Sequence, residues 1–119
     1  CNVGGITESM KVAGWCESPY RDMMPHNPLG PICTAASIHF GASVPNFAWL
    51  ETRESAAENA GFTNDEIIKS SHYMENAMYV VSKEPGLGIS VNEDYLKNSK
   101  FKQWDPPQLE RNDGSVTNW

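Results

Sequence analysis

A chain of 119 residues that is 39% hydrophobic holds enough apolar material for one ordinary globular core. Its net charge of −6, from 15 acidic against 9 basic residues with no Lys/Arg cluster, argues against nucleic acid and anionic membrane as partners. No apolar run approaches the roughly 18 residues of a membrane span, no basic-then-apolar leader is present, and the start at Cys1 rather than Met reads as a truncated or processed chain.

Cys1, Cys16 and Cys33 are odd in number, lack a C-x-x-C pair and match no zinc-ribbon spacing, so free thiols in a reducing cytoplasmic compartment are expected. Gly4-Gly5 reads as a turn. From Ile6 the residues Ile6, Met10, Ala13 and Gly14 recur on one helical face, with Thr7 as the expected cap and Glu8 in the first turn. That helix should stop near Glu17, because the residue before Pro19 disfavours helical backbone. Residues 22–26 read as a short strand ending in a turn at Pro25-His26. Pro31 then suits the first turn of a second helix, whose face is traced by Ile32, Ala35, Ala36, His39 and Phe40. A break at 41–45 precedes an apolar strand at 47–51, closed by Glu51 and of the kind buried on both faces of a parallel sheet.

Further on, helices are expected at 54–60 and 64–69. Residues 70–76 are polar and ambiguous, Met78 to Val81 is a strand, Pro85-Gly86-Leu87-Gly88 a tight turn, and Ile89 to Val91 another strand. Asn92 or Glu93 should open a helix reaching Lys97, and 104–119 is turn-rich. His39, on an amphipathic helix, and His72, in a polar stretch with no partner in register, are read as loop or packing residues and not as catalysts, and Trp15, Trp104 and Trp119 as packing anchors.

Strand, helix, strand, helix with short connections implies parallel strands and right-handed crossovers. His26 and Glu51 are 25 residues apart, close to one repeat of a (β/α)8 barrel that spends roughly 250 residues on eight units. Both stand where strands end and loops begin, the catalytic face of such a barrel. Side-chain alternation turns Met24 inward with His26 and Trp49 inward with Glu51, making Trp49 a candidate substrate contact.

Five segments carry a resemblance. Cys1-Asn2-Val3-Gly4-Gly5-Ile6-Thr7-Glu8, Pro25-His26-Asn27-Pro28-Leu29-Gly30-Pro31, Pro45-Asn46 with Glu51, Pro85-Gly86-Leu87-Gly88-Ile89, and Asp113-Gly114-Ser115-Val116 with Trp119 occur in that order. Together they resemble the C-terminal part of galactonate-dehydratase-like members of the mandelate racemase group of the enolase superfamily. Residues 52–77 match poorly.

The resemblance implies an α/β fold, the C-terminal part of a (β/α)8 barrel with about strands 7 and 8 and their helices. Residues 1–62 would form the barrel segment, and 63–119 a last helical region and a tail returning to a capping domain outside this chain. It further implies a Mg2+-dependent sugar-acid dehydratase, a homo-oligomer as a full-length enzyme, that takes the proton next to the carboxylate of an aldonate and eliminates water. His26 would be the base, since an imidazole both accepts and returns a proton near neutrality. Its orienting aspartate would lie before Cys1. Glu51 would hydrogen-bond the substrate carboxylate, a role that demands a protonated or proton-sharing carboxyl. The metal ligands would come from the third, fourth and fifth strands, so none is assigned within these 119 residues, and the segment alone is expected to be inactive. A racemase, epimerase or cycloisomerase of the same superfamily and a non-catalytic binding module are the alternatives.

Overall fold

The computed structural model describes residues 2–52, 66–101, 103 and 109–117. Gly4 and Gly5 make the expected turn, with φ of 101° and 103°, values that favour glycine. Helix α1, Ile6–Glu17, follows directly. Its cap position is Gly5, with no side-chain cap, so Thr7 does not fill the expected role: it already lies inside the helix. Ser9 Oγ donates back to the Gly5 carbonyl at 3.0 Å, which leaves the first N–H groups of the helix uncapped by side chains. The helix ends at Glu17 as expected, but not for the expected reason: Ser18, the residue before Pro19, keeps helical angles of −54° and −45°, and its N–H still reaches Gly14 O at 3.4 Å. Tyr20 takes a left-handed φ of 58°, and the returning Arg21 N–H meets the Cys16 carbonyl at 2.7 Å.

The expected strands at 22–26 and 47–51 meet in parallel, but through one pairing only, Met23 with Phe47. Met23 N–H donates to Asn46 O at 2.6 Å and Ala48 N–H to Met23 O at 3.0 Å, the slanted pattern of parallel strands. The next rung would need an N–H at residue 25, and proline has none. Among the described residues no third strand pairs with either segment. The expected burial of 47–51 on both faces therefore fails: Ala48 is exposed and Trp49 is 72% exposed.

Helix α2, Pro31–Ser43, lies between these segments in sequence, with Pro31 in its first turn as expected. It runs through Gly41 and stops at Val44, later than the sequence suggests. Its buried residues are Ala35, Ile38 and Phe40, whereas Ile32 is 47% exposed, so the packed face is turned from the expected one. Ala13, Phe40 and Val44 form the core, flanked by Met23 and Phe47. Gly41 permits this approach, because a Cβ there would stand 2.8 Å from the Phe47 ring. Asn46 fastens the start of the second strand segment, its side-chain amide donating to Ala13 O at 3.1 Å and Arg21 O at 2.9 Å. Trp15, expected as a packing anchor, is 74% exposed.

The second half is built from short antiparallel pairs. The helix expected at 54–60 falls outside the described residues, as do Trp104 and Trp119. Where 64–69 was expected to be helical, Glu66 and Ile67 form a turn and Ile68–Ser70 is strand β1. Isoleucine is a strong strand former, and the segment pairs residue for residue with the strand at 89–91. Strands β2, Tyr73–Glu75, and β3, Met78–Val80, form a hairpin. Its two-residue turn, Asn76-Ala77, has positive φ at both positions, the arrangement that matches strand twist.

The turn at Pro85 to Gly88 and strand β4, Ile89–Val91, which pairs with β1, are as expected. So is helix α3, Glu93–Asn98, where Asn92 caps the Tyr95 N–H at 3.0 Å. Strands β5, Leu109–Glu110, and β6, Val116–Thr117, close a hairpin over Asp113-Gly114.

Candidate active site

The parallel pairing of Met23 with Phe47 sends both segments out of the core in the same direction, so His26 and Glu51 emerge side by side. His26 Nε2 lies 3.4 Å from Glu51 Oε2, and both side chains are open to solvent, at 68% and 41% exposure. This brings together the two residues that the sequence nominates. Trp49 and Met24 are also exposed, at 72% and 66%.

Asn27, which sequence reasoning passed over, completes the arrangement. Its backbone N–H donates to the same Glu51 Oε2 at 3.1 Å. Its side chain is 1% exposed, and Nδ2 donates to Thr34 Oγ1 at 3.0 Å. Thr34 is in the first turn of α2, where its hydroxyl donates to Gly30 O at 3.4 Å. Asn27 Oδ1 is buried and has no hydrogen-bond partner among the described residues. The signal in the sequence was a polar residue between His26 and Pro28, followed seven positions later by a hydroxyl in a proline-started helical turn.

An imidazole beside a carboxyl group whose facing oxygen is already held by a backbone donor can move a proton while keeping a fixed geometry. The imidazole offers Nε2 toward Glu51, which leaves Nδ1 as the nitrogen that an orienting group would use.

His72, expected to have no partner in register, is buried among several. It is buried at 9% exposure, Nδ1 accepts the Ser82 N–H at 3.1 Å, and Nε2 lies 2.8 Å from Leu87 O. With Nδ1 accepting, the proton sits on Nε2 and is donated to that carbonyl. Its ring stands edge-on to His39 at 5.1 Å, joining the hairpin region to α2. No group of three or more His, Cys, Asp or Glu suited to a metal occurs among the described residues. His26 and Glu51 alone do not make a Mg2+ site.

Residues 1–95 match the family model described as enolase C-terminal domain-like. The chain belongs to that family. Within the enolase superfamily it falls in the mandelate racemase/muconate lactonizing group and is galactonate-dehydratase-like in sequence. A D-galactonate dehydratase of Xanthomonas campestris pv. campestris is 33% identical over 99% of this chain and 32% of its own length. The chain thus spans about a third of the curated relatives it matches.

Among solved structures, a putative galactarate dehydratase from Agrobacterium radiobacter, bound to Na and L-malate, superposes with a TM-score of 0.76 at 26% identity. That match covers 95% of this chain and 31% of the other. A putative mandelate racemase/muconate lactonizing enzyme from Burkholderia SAR-1 gives 0.71 at 32% identity, covering 87% and 25%. The fold is accordingly a small α/β unit with a partial, unclosed sheet, as expected of a piece of a (β/α)8 barrel. No helix among the described residues is long and apolar enough to cross a membrane.

Proposed function

We propose that the whole protein is a sugar-acid dehydratase acting on an aldonate of the galactonate kind. His26 removes the proton next to the substrate carboxylate, and Glu51 hydrogen-bonds that carboxylate. The observation that carries this reading is the 3.4 Å approach of His26 Nε2 to Glu51 Oε2 on one open mouth.

In this reading the Cα–H bond breaks with its proton passing to the imidazole and its electrons to the carboxylate, giving an enediolate. The β-hydroxyl then departs with a proton from an acid outside the described residues, and the enol left behind ketonises to the 2-keto-3-deoxy acid. Glu51, held on Oε2 by the Asn27 N–H, carries a proton in this role and donates it as a hydrogen bond to the carboxylate oxygens on which charge develops. Mg2+ is proposed as the cofactor of the whole enzyme, supplying positive charge at that carboxylate. The described residues do not hold it, and no step above is routed through it.

The test is to incubate the full-length protein with an aldonate panel in deuterated water. Water loss to a 2-keto-3-deoxy acid by wild type, with dehydration abolished in His26→Asn, is the expected result. Full activity in His26→Asn would overturn the assignment of the base. A second reading, racemisation or epimerisation, draws on the likeness to the putative racemase structure. Solvent deuterium in an inverted product without loss of water would establish it instead.

A further inference from the structure

We infer that Asn27 is the positioning residue of this site, and that Thr34 holds it in place from helix α2. The inference rests on the proposed roles of His26 and Glu51. Three observations converge on it. Asn27 N–H donates to the one oxygen of Glu51 that also faces His26 Nε2. The Asn27 side chain is 1% exposed, which fixes the loop from within. That buried side chain is tied by Nδ2 to Thr34 Oγ1, whose own hydroxyl is spent on Gly30 O, so the loop is referenced to the first turn of α2.

The consequence is a division of labour between the two oxygens of Glu51. Oε2 is committed to the protein by a backbone donor, and Oε1 is the one presented to a substrate carboxylate. Because the donor is a main-chain amide, its direction depends on the loop carrying it, and the loop depends on the Asn27–Thr34 hydrogen bond. A part-buried hydrogen bond seven residues apart in sequence therefore sets the separation of a base and a carboxyl that are 25 residues apart.

The test uses Thr34→Val, which keeps shape but removes the hydroxyl, and Thr34→Ser, which restores it, both in the full-length protein. Misplacement of catalytic groups by about an ångström can cost on the order of 100-fold in rate. Thr34→Val is expected to lower kcat by about 10-fold or more with KM moving less than about threefold, while Thr34→Ser stays within about twofold of wild type.

A second measurement does not depend on turnover. In protein labelled with 15N-asparagine, the Asn27 amide resonance should follow the titration of Glu51, lose that dependence in Glu51→Gln and Thr34→Val, and keep it in Thr34→Ser. The inference is overturned if Thr34→Val keeps wild-type kcat, if Thr34→Ser is as impaired as Thr34→Val, or if the Asn27 amide ignores Glu51 in the wild type. If the amide coupling behaves as expected while His26→Asn retains activity, the positioning stands and the catalytic reading falls.

Discussion

The side-chain amide of Asn46 donates to the carbonyl of Ala13 at 3.1 Å, across 33 residues of chain. The same nitrogen also serves Arg21 O, so a single side chain ties the helix α1, the connection after it and the start of the segment that ends at Glu51. Removing a part-buried donor of this kind forfeits two hydrogen bonds, at a cost of about 1–2 kcal/mol. Asn46→Ala in the full-length protein is expected to lower the unfolding free energy by that amount, read as a fall in the denaturant midpoint at unchanged slope. Asn46→Asp, which has the shape but not the N–H, should be no better. An unchanged midpoint in both would show that water replaces the amide freely.

Gly41 sets two effects against each other. Alanine is the better helix former by about 1 kcal/mol. A Cβ at this site, however, would lie 2.8 Å from the Phe47 ring. Overpacking of that kind costs about 1–3 kcal/mol, so Gly41→Ala should be a net destabilisation, relieved when combined with Phe47→Leu. Chemical denaturation of the single and double variants decides the sign, and a stabilised Gly41→Ala would mean that the ring moves aside without cost.

Glu51→Gln preserves size and one acceptor oxygen but removes the ionisable group. If Glu51 meets developing charge on the substrate carboxylate, kcat should fall by about 100-fold or more. KM should change little, because the interaction lost belongs to the transition state. Steady-state kinetics on the substrate that the wild type dehydrates would check this. A variant changed only in KM would assign Glu51 to ground-state binding.

His72 uses both ring nitrogens on backbone groups, Ser82 N–H and Leu87 O. His72→Phe keeps the ring and removes both partners. The Ser82 amide should then exchange with solvent faster, and stability should fall by about 1–3 kcal/mol. Hydrogen exchange at Ser82 is the direct measurement, and unchanged protection there would assign the amide another acceptor.

At the distal hairpin, the Ser115 hydroxyl and then its backbone N–H hold the Asp113 carboxyl below the ordinary carboxylate range. The folded value lies below the unfolded one, so the contribution to stability is complete above the unfolded value and is lost as pH falls through the folded one. Carbon NMR titration should find Asp113 below an ordinary aspartate, and Ser115→Ala should move it upward. An Asp113 that titrates normally in wild type would contradict the hydrogen bonds.

Elements whose signals were local were legible in the sequence. The Gly4-Gly5 turn, the Pro31 start, the Pro85 to Gly88 turn and the Asn92 cap each depend on the chemistry of one or two residues at the spot. The helix expected at 64–69 became β1 because its partner, Ile89–Val91, lies about twenty residues away, outside any local window. The rotated face of α2 was equally hidden, since it depends on Phe47 seating against Gly41. At the site, His26 and Glu51 could be nominated from their places at strand ends. Asn27 was harder to find: its contact with Glu51 runs through a main-chain N–H that any residue but proline would supply, and only the side-chain pairing with Thr34 left a trace in the sequence.

The proline at position 25 has an effect beyond ending the strand pairing. In a regular parallel ladder every second residue spends its N–H on the neighbouring strand, so after Met23 and residue 25 the next donor would be Asn27, aimed at a Leu50 carbonyl. With the ladder broken at Pro25, that amide is released from sheet duty and spends its hydrogen on a carboxylate one residue further along. An imino acid that weakens the sheet thus turns a structural donor into an anion-facing one.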